Sequence, residues 1–172
     1  MKSSIAGQIK TAVFHVDELA QVEFETKHRW LHIATPDALE KSLHYAVLIA
    51  SKKAVVENKE GMIRFLEGWI LTQNMMSSPA AADKVAVATA AAKANGSNFE
   101  VALAAIGDYQ AIDYWVNDDG LKESQMMSQL DQLVKVGAVK PDKKPTYDQI
   151  VDKSLYAEAR KRVEAKFGKL RH

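Results

Sequence analysis

The sequence predicts an α/β fold, with a short, mainly parallel sheet near the N-terminus followed by a helical C-terminal half. Three observations predict it. Short runs of β-branched and aromatic residues alternate with a helix start over the first fifty residues, and apolar residues recur at helical spacing from residue 57 onward. The composition, 47% hydrophobic and 26% charged over 172 residues, is that of a globular chain long enough for one core.

Gly7 leads into Ile9–His15, a run of β-formers that reads as the first strand. Asp17-Glu18-Leu19-Ala20-Gln21-Val22 follows as a helix opening, its carboxylates in the first turn, where the aligned peptide dipoles favour negative charge. Arg29–Ala34 reads as a second strand, stopped by Thr35-Pro36. His44–Ala50 reads as a third, and its near-continuous apolar run suits burial on both faces. Beyond it, Asn58 caps a helix with Met62, Phe65, Leu66, Trp69 and Ile70 on one stripe, which places Trp69 in the core. Ser78-Pro79 opens the next helix, serine as cap and proline at the first helical position, and Gly96 closes it. The run from Ala80 to Ala94 belongs to that helix, alanine being the best helix former. Phe99, Ala102, Leu103 and Ile106 make a third stripe. Met127, Leu130, Leu133 and Val134 make a fourth, ended by Gly137 and Pro141. A last helix from about Ser154 turns Leu155, Ala159, Val163 and Phe167 inward. Three strands are few where a sheet usually has about five or six, so the sheet expects completion by another chain or by a further N-terminal part.

Several function classes are excluded by what the sequence lacks. Lys+Arg and Asp+Glu stand at 23 and 22, and the densest basic stretch, Lys140 to Lys144, is interrupted by Pro141 and Asp142, so no nucleic-acid partner is expected. There is no cysteine, hence no disulfide, thiol nucleophile or Cys-type zinc site. His15, His28, His32 and His44 make no HExxH motif, and His28 and His32 flank or lie in an apparent strand, so no metal is expected. With no nucleophile elbow, P-loop or dinucleotide fingerprint, no catalytic residue and no cofactor are expected, and the chain reads as a non-enzyme. The N-terminus has no apolar core of roughly 7–15 residues, so it carries no signal peptide and the chain, if complete as given, would stay in the cytoplasm.

The succession of segments resembles a known family. Gly7-Gln8-Ile9-Lys10-Thr11-Ala12-Val13-Phe14-His15 is similar to the strand and ligand loop of ABC-importer solute-binding proteins for nitrate, sulfonate, taurine and pyrimidine precursors. His44-Tyr45-Ala46-Val47-Leu48-Ile49-Ala50-Ser51 resembles the strand by which that family's chain returns to its first lobe. Glu57-Asn58-Lys59-Glu60 with Arg64-Phe65-Leu66-Glu67-Gly68-Trp69 resembles its next helix. Asp118-Asp119-Gly120-Leu121, Leu133-Val134-Lys135-Val136-Gly137-Ala138-Val139 and Val151-Asp152-Lys153-Ser154-Leu155 resemble its C-terminal helices and their linkers. Lys10 stands where the family carries an acidic residue, and Val16 where a proline is common. The resemblance implies a partial type 2 periplasmic-binding-protein lobe over residues 1–172: residues 1–40 end the second lobe, and 41–172 return to the first lobe and form the C-terminal helices. It implies a substrate-binding component of an ABC transporter in the periplasm, holding a small nitrogen- or sulfur-containing solute in an interlobe cleft for delivery to a permease. The implied partners are the small-molecule ligand, the permease, and a separately encoded N-terminal lobe or a second copy. The alternatives are a pyrimidine-precursor-related protein of the same fold and a dimeric interaction module without a small ligand.

The expected ligand-binding residues are His15, Asp17, Glu18 and Trp115. The first three stand where a strand end meets a helix start, the position at which open α/β sheets bind ligands. Asp17 and Glu18 would repel an oxyanion and accept hydrogen bonds from an amino group, which favours a nitrogenous ligand. Trp115, in the polar aromatic stretch Tyr109–Trp115, is placed to stack on a planar ligand. The plainer role for Asp17 is to cap its helix, and for His15 to pack at a strand end.

Overall fold

The computed structural model describes residues 1–31, 47–115 and 118–170, and 66% of them are helical. In chain order the helices are α1 (Lys2–Ile5), α2 (Val16–Thr26), α3 (Lys52–Glu57), α4 (Lys59–Met76), α5 (Ala81–Asn95), α6 (Phe99–Ala111), α7 (Glu123–Lys135), α8 (Tyr147–Ile150) and α9 (Ser154–Phe167), with a 3-10 turn at Pro141–Lys143. No strand occurs among the described residues.

The expected α/β fold, a partial type 2 periplasmic-binding-protein lobe with a short, mainly parallel sheet, is therefore corrected: the described residues are all-helical, with no sheet. Residues 9–15 form neither helix nor β-ladder, and Val13 is 96% exposed. The described parts of the other two expected strands, 29–31 and 47–50, likewise form no β-ladder. Leu31 is 88% and Ile49 90% exposed, so the burial expected on both faces of the third strand fails where it is described. Residues 32–34 and 44–46 of those strands lie outside the described residues. The physical reason is that β-branched and aromatic runs favour local extension, whereas a strand exists only when a neighbour supplies the ladder.

The described residues group into two compact units, one of 1–31 and 71–115, the other of 47–70 and 118–170. In the first, α6 lies between α2 and α5. Val101 and Ala105, one turn apart, meet Ala20 and Phe24 of α2. Ala102 and Ile106, on the adjoining face, meet Ala88 of α5, with Val87, Ala91, Ala92, Leu103 and Trp115 packed around them. Alanine at the contacts lets helix backbones approach closely, and removing these apolar surfaces from water holds the layer together. Asn98 caps α6 by accepting from the Glu100 N–H at 2.7 Å. Gly96 ends α5 in the left-handed conformation (φ 71°), as its position predicts. The start of α5 lies two residues later than expected: Ala80 is the N-cap, and Ser78 accepts from the Ala80 N–H at 3.2 Å in a local turn. The Gln110 amide donates to the carbonyls of Met76 and Ser78, the latter at 2.9 Å, and so fastens the α4–α5 connection to the end of α6.

In the second unit, α4 and α9 are bridged by charge. Arg162 of α9 reaches Glu60 at 2.8 Å and Glu67 at 3.7 Å on α4, and Glu158 at 2.9 Å on its own helix. Ile63, Ala159 and Val163 are buried. The face of α4 turned to α9 thus runs Glu60–Ile63–Glu67, which leaves Phe65 57% and Trp69 39% exposed and stacked on each other 6.4 Å apart. The core place expected for Trp69 is corrected accordingly. The apolar stripe of α4 is broader than one neighbouring helix covers, and the ion pairs lie beside the covered part. Phe167, expected inward, is 58% exposed. Helix α7 buries none of its residues, and Leu133 is 40% exposed. Gly137 (φ 78°) closes α7, the Ala138 N–H reaching back to the Leu133 carbonyl at 2.9 Å. Asp118 and Asp119 build the turn before α7 by accepting from the N–H groups of Gly120 and Leu121. Tyr156 and Tyr147 donate to the Asp118 and Leu121 carbonyls, and Lys153 pairs with Asp119 at 3.0 Å.

Candidate functional site

Helices α2 and α6 run past each other so that Asp17, Ala20 and Phe24 on one meet residues spaced by single turns on the other. Ala20 and Phe24 belong with Ala105 and Val101. One further turn along α6, Tyr109 donates its hydroxyl to Asp17 Oδ1 at 3.2 Å. Tyr109 also carries the aromatic cluster. Its ring centroid lies 4.6 Å from Tyr114 and 5.2 Å from Trp115, and Tyr114 and Trp115 meet edge to face at 5.9 Å and 89°. The chain turns back after α6 to make this possible: Asp113 takes a left-handed conformation (φ 49°), and the Tyr114 N–H returns to the Tyr109 carbonyl at 3.0 Å. Trp115 rests on the Ala88–Ala102–Ile106 cluster, so this end of the site has a fixed base.

Two of the four expected ligand residues therefore converge. Asp17 and Trp115, distant in sequence, both contact Tyr109. Glu18 is turned back on its own helix, accepting from the His15 backbone N–H at 3.1 Å, one half of a capping box. His15 is the N-cap of α2 and is exposed. The helix opening at Asp17 stands as expected, but it follows an irregular segment rather than a strand. Tyr109 and Tyr114 were not singled out from the sequence. Their signal was the aromatic spacing within Tyr109–Trp115, which becomes informative once α6 is known to end at Ala111.

The electrostatics of the cluster centre on one carboxylate. Partial burial pushes the Tyr109 phenol up to about 12, and the negative charge of Asp17 adds to the effect. Burial, then Asp17, raise Tyr114 as well. Both phenols stay neutral near pH 7, and Asp17 supplies the charge. The arrangement presents ring faces, a carboxylate and two phenol oxygens, all suited to an electron-poor or cationic nitrogen group.

Clefts lie away from this cluster. One of about 430 Å³ is lined by Lys59, Glu60, Ile63, Ser154, Glu158 and Arg162. Its charged groups are engaged with one another: the Arg162 hydrogen bond is the main cause holding the Glu60 carboxyl below the usual range. Another, of about 370 Å³, lies between α2 and α6 beside Phe24, Lys27, His28, Arg29, Glu100 and Asp108, where acidic and basic groups are mixed. No group of three potential metal ligands occurs among the described residues, and His32 and His44 lie outside them. No helix among the described residues is long and apolar enough to cross a membrane. No protein-family model, curated protein or solved structure matches the chain.

Proposed function

We propose that the chain is a substrate-binding component of an ABC importer, taking up a small nitrogenous solute at the Asp17–Tyr109–Tyr114–Trp115 cluster. The observation that carries this reading is the convergence of Asp17 and Trp115 on Tyr109. A carboxylate among aromatic rings accepts N–H donors and attracts positive charge, and it repels the oxyanions that other importer components carry. The segments from Glu57–Trp69 to Val151–Leu155 that resemble helices and linkers of the nitrate, sulfonate, taurine and pyrimidine-precursor binding proteins supply the transport context, with a permease as the docking partner at the outer face of the membrane. The reading is of binding without catalysis, because the sequence holds no nucleophile–base motif. A thermal-shift screen with small amines, nitrogen heterocycles and oxyanions tests it. A nitrogenous compound should raise the melting temperature, since a ligand that binds only the folded state stabilises it. A shift by nitrate or taurine alone would overturn the reading.

A partner that covers apolar surface is favoured by a separate observation. Phe65 and Trp69 on α4, Leu133 on α7 and the segment Val47–Ile49 leave apolar side chains uncovered. Surfaces of this kind fit an obligate contact with a separately encoded lobe or a second copy. Light scattering at micromolar concentration tests this, and a strict monomer with a cooperative melt would contradict it.

A further inference from the structure

Away from the aromatic cluster, the groove between α2 and α6 is an open cleft of about 370 Å³, and none of Asp17, Tyr109, Tyr114 and Trp115 lines it. Its size falls within the roughly 300–1,000 Å³ of small-ligand sites. The floor is apolar: Ala20 and Val101 are buried, Phe24 is half-buried, and Ala104 is exposed with only a methyl group to fill the space beside it.

Charge is divided along the length of this groove. The two helices run antiparallel, because Asp17 meets Tyr109 while Ala20 and Phe24, later in α2, meet Ala105 and Val101, earlier in α6. Lys27, one turn beyond Phe24, therefore lies at the Val101 end with His28 and Arg29, and Asp108 lies at the other end. From Val101 to Asp108, seven residues of helix at 1.5 Å each span about 10 Å. The Asp108 carboxylate makes no hydrogen bond or ion pair with another described residue. At the basic end, Glu23 is engaged by the Trp30 N–H at 2.7 Å and by Arg29 at 3.9 Å. That leaves Glu100 as one carboxylate against Lys27, with the His28 imidazole as a further N–H donor. Lys27 ends α2 in the left-handed conformation (φ 57°), a place where glycine avoids strain, and its ammonium stands 4.0 Å from the centre of the Phe24 ring. The groove thus carries a cation at one end, a carboxylate at the other and apolar surface between.

We propose that this groove binds an elongated zwitterion, its ammonium on Asp108, its carboxylate on Lys27 and His28, and its middle over Val101 and Ala104. Opposite charges about 10 Å apart match the main chain of a tripeptide, at about 3.3–3.6 Å per residue, or an ω-amino acid of the same reach. The site goes beyond the proposed function, which rests on other residues. Calorimetric titration of the whole chain with trialanine and with 8-aminooctanoate tests it, and the tighter binder distinguishes a peptide main chain from an aliphatic spacer. Blocking either end of that binder, as its N-acetyl derivative or its C-terminal amide, should weaken it about tenfold or more, the scale of one charge-assisted hydrogen bond. Asp108→Asn should weaken the free form by a similar factor and leave the N-acetyl derivative as it was. Lys27→Gln should do the same for the free form and the amide. Ala104→Leu, which fills the middle of the groove from an exposed position, should abolish binding at a nearly unchanged melting temperature. Binding of neither probe, equal binding of free and end-blocked forms, or an Asp108→Asn protein that still distinguishes the free form from the N-acetyl derivative overturns the proposal.

Discussion

Ala105→Leu is the substitution that joins the fold to the site. Ala105 is 5% exposed and packs against Ala20 across the α2–α6 contact, one turn from Val101 and one turn from Tyr109. Leucine adds three carbons where the closeness of two helices depends on alanine. Overpacking a filled contact costs about 1–3 kcal/mol, and relief requires α2 to move away from α6. The first bond lost by that movement is Tyr109 to Asp17, already at 3.2 Å. Urea denaturation should therefore show a loss of about 1–3 kcal/mol. Absorbance titration of the tyrosines should show Tyr109 ionising below its present value of about 12. Ala104→Leu, one residue away and exposed, is the control and should change stability by no more than about 0.5 kcal/mol. An Ala105→Leu protein with unchanged stability and an unchanged tyrosine titration would refute the packing argument.

Other outcomes follow from the same contacts. Asp17→Asn should lower the Tyr109 titration by removing a negative neighbour, while the fold loses at most about 1 kcal/mol, since asparagine is tolerated in a helix start. Because Tyr109 is raised above its ordinary value of 10.0, its contribution to stability is full below about pH 10 and lost as pH rises towards about 12; melting temperatures across that window check this. Glu60 is lowered, the opposite case, so the Arg162–Glu60 bridge contributes above the ordinary glutamate value of 4.5 and is lost as pH falls through the lower folded value. Arg162→Ala should remove that pH dependence and reduce hydrogen-exchange protection in α9, whereas Arg162→Lys should keep part of it, having one point charge in place of a fork.

The helices were legible because amphipathic spacing and caps are local. Gly96, Gly137 and Ser154 mark helix limits close to where the sequence places them. The strands were misread for the converse reason. Ile9–His15 carries the right residue types, but pairing is a property of two segments, and a short apolar run alone does not specify it. The face of α4 was misjudged because its apolar residues wrap past one stripe, and the side that turns inward is marked by a partner, Arg162, about a hundred residues on. In α5 the helix was legible but its inward face was not, since alanine repeats on every side and Ala88 is distinguished only by what it touches. Half of the candidate site was readable: Asp17 from its place at a helix start, and Trp115 from its polar aromatic surroundings. Tyr109 was hidden because its importance lies in joining those two.

The most direct test of the proposed function is calorimetric titration of the chain and its Asp17→Asn variant with the nitrogenous compound that most raises the melting temperature. The account predicts that Asp17→Asn weakens binding by about 1.5–3 kcal/mol, the scale of an interaction with a charged partner, at a nearly unchanged melting temperature. Equal affinity in the two proteins, or tighter binding of nitrate or a sulfonate by Asp17→Asn, would contradict it.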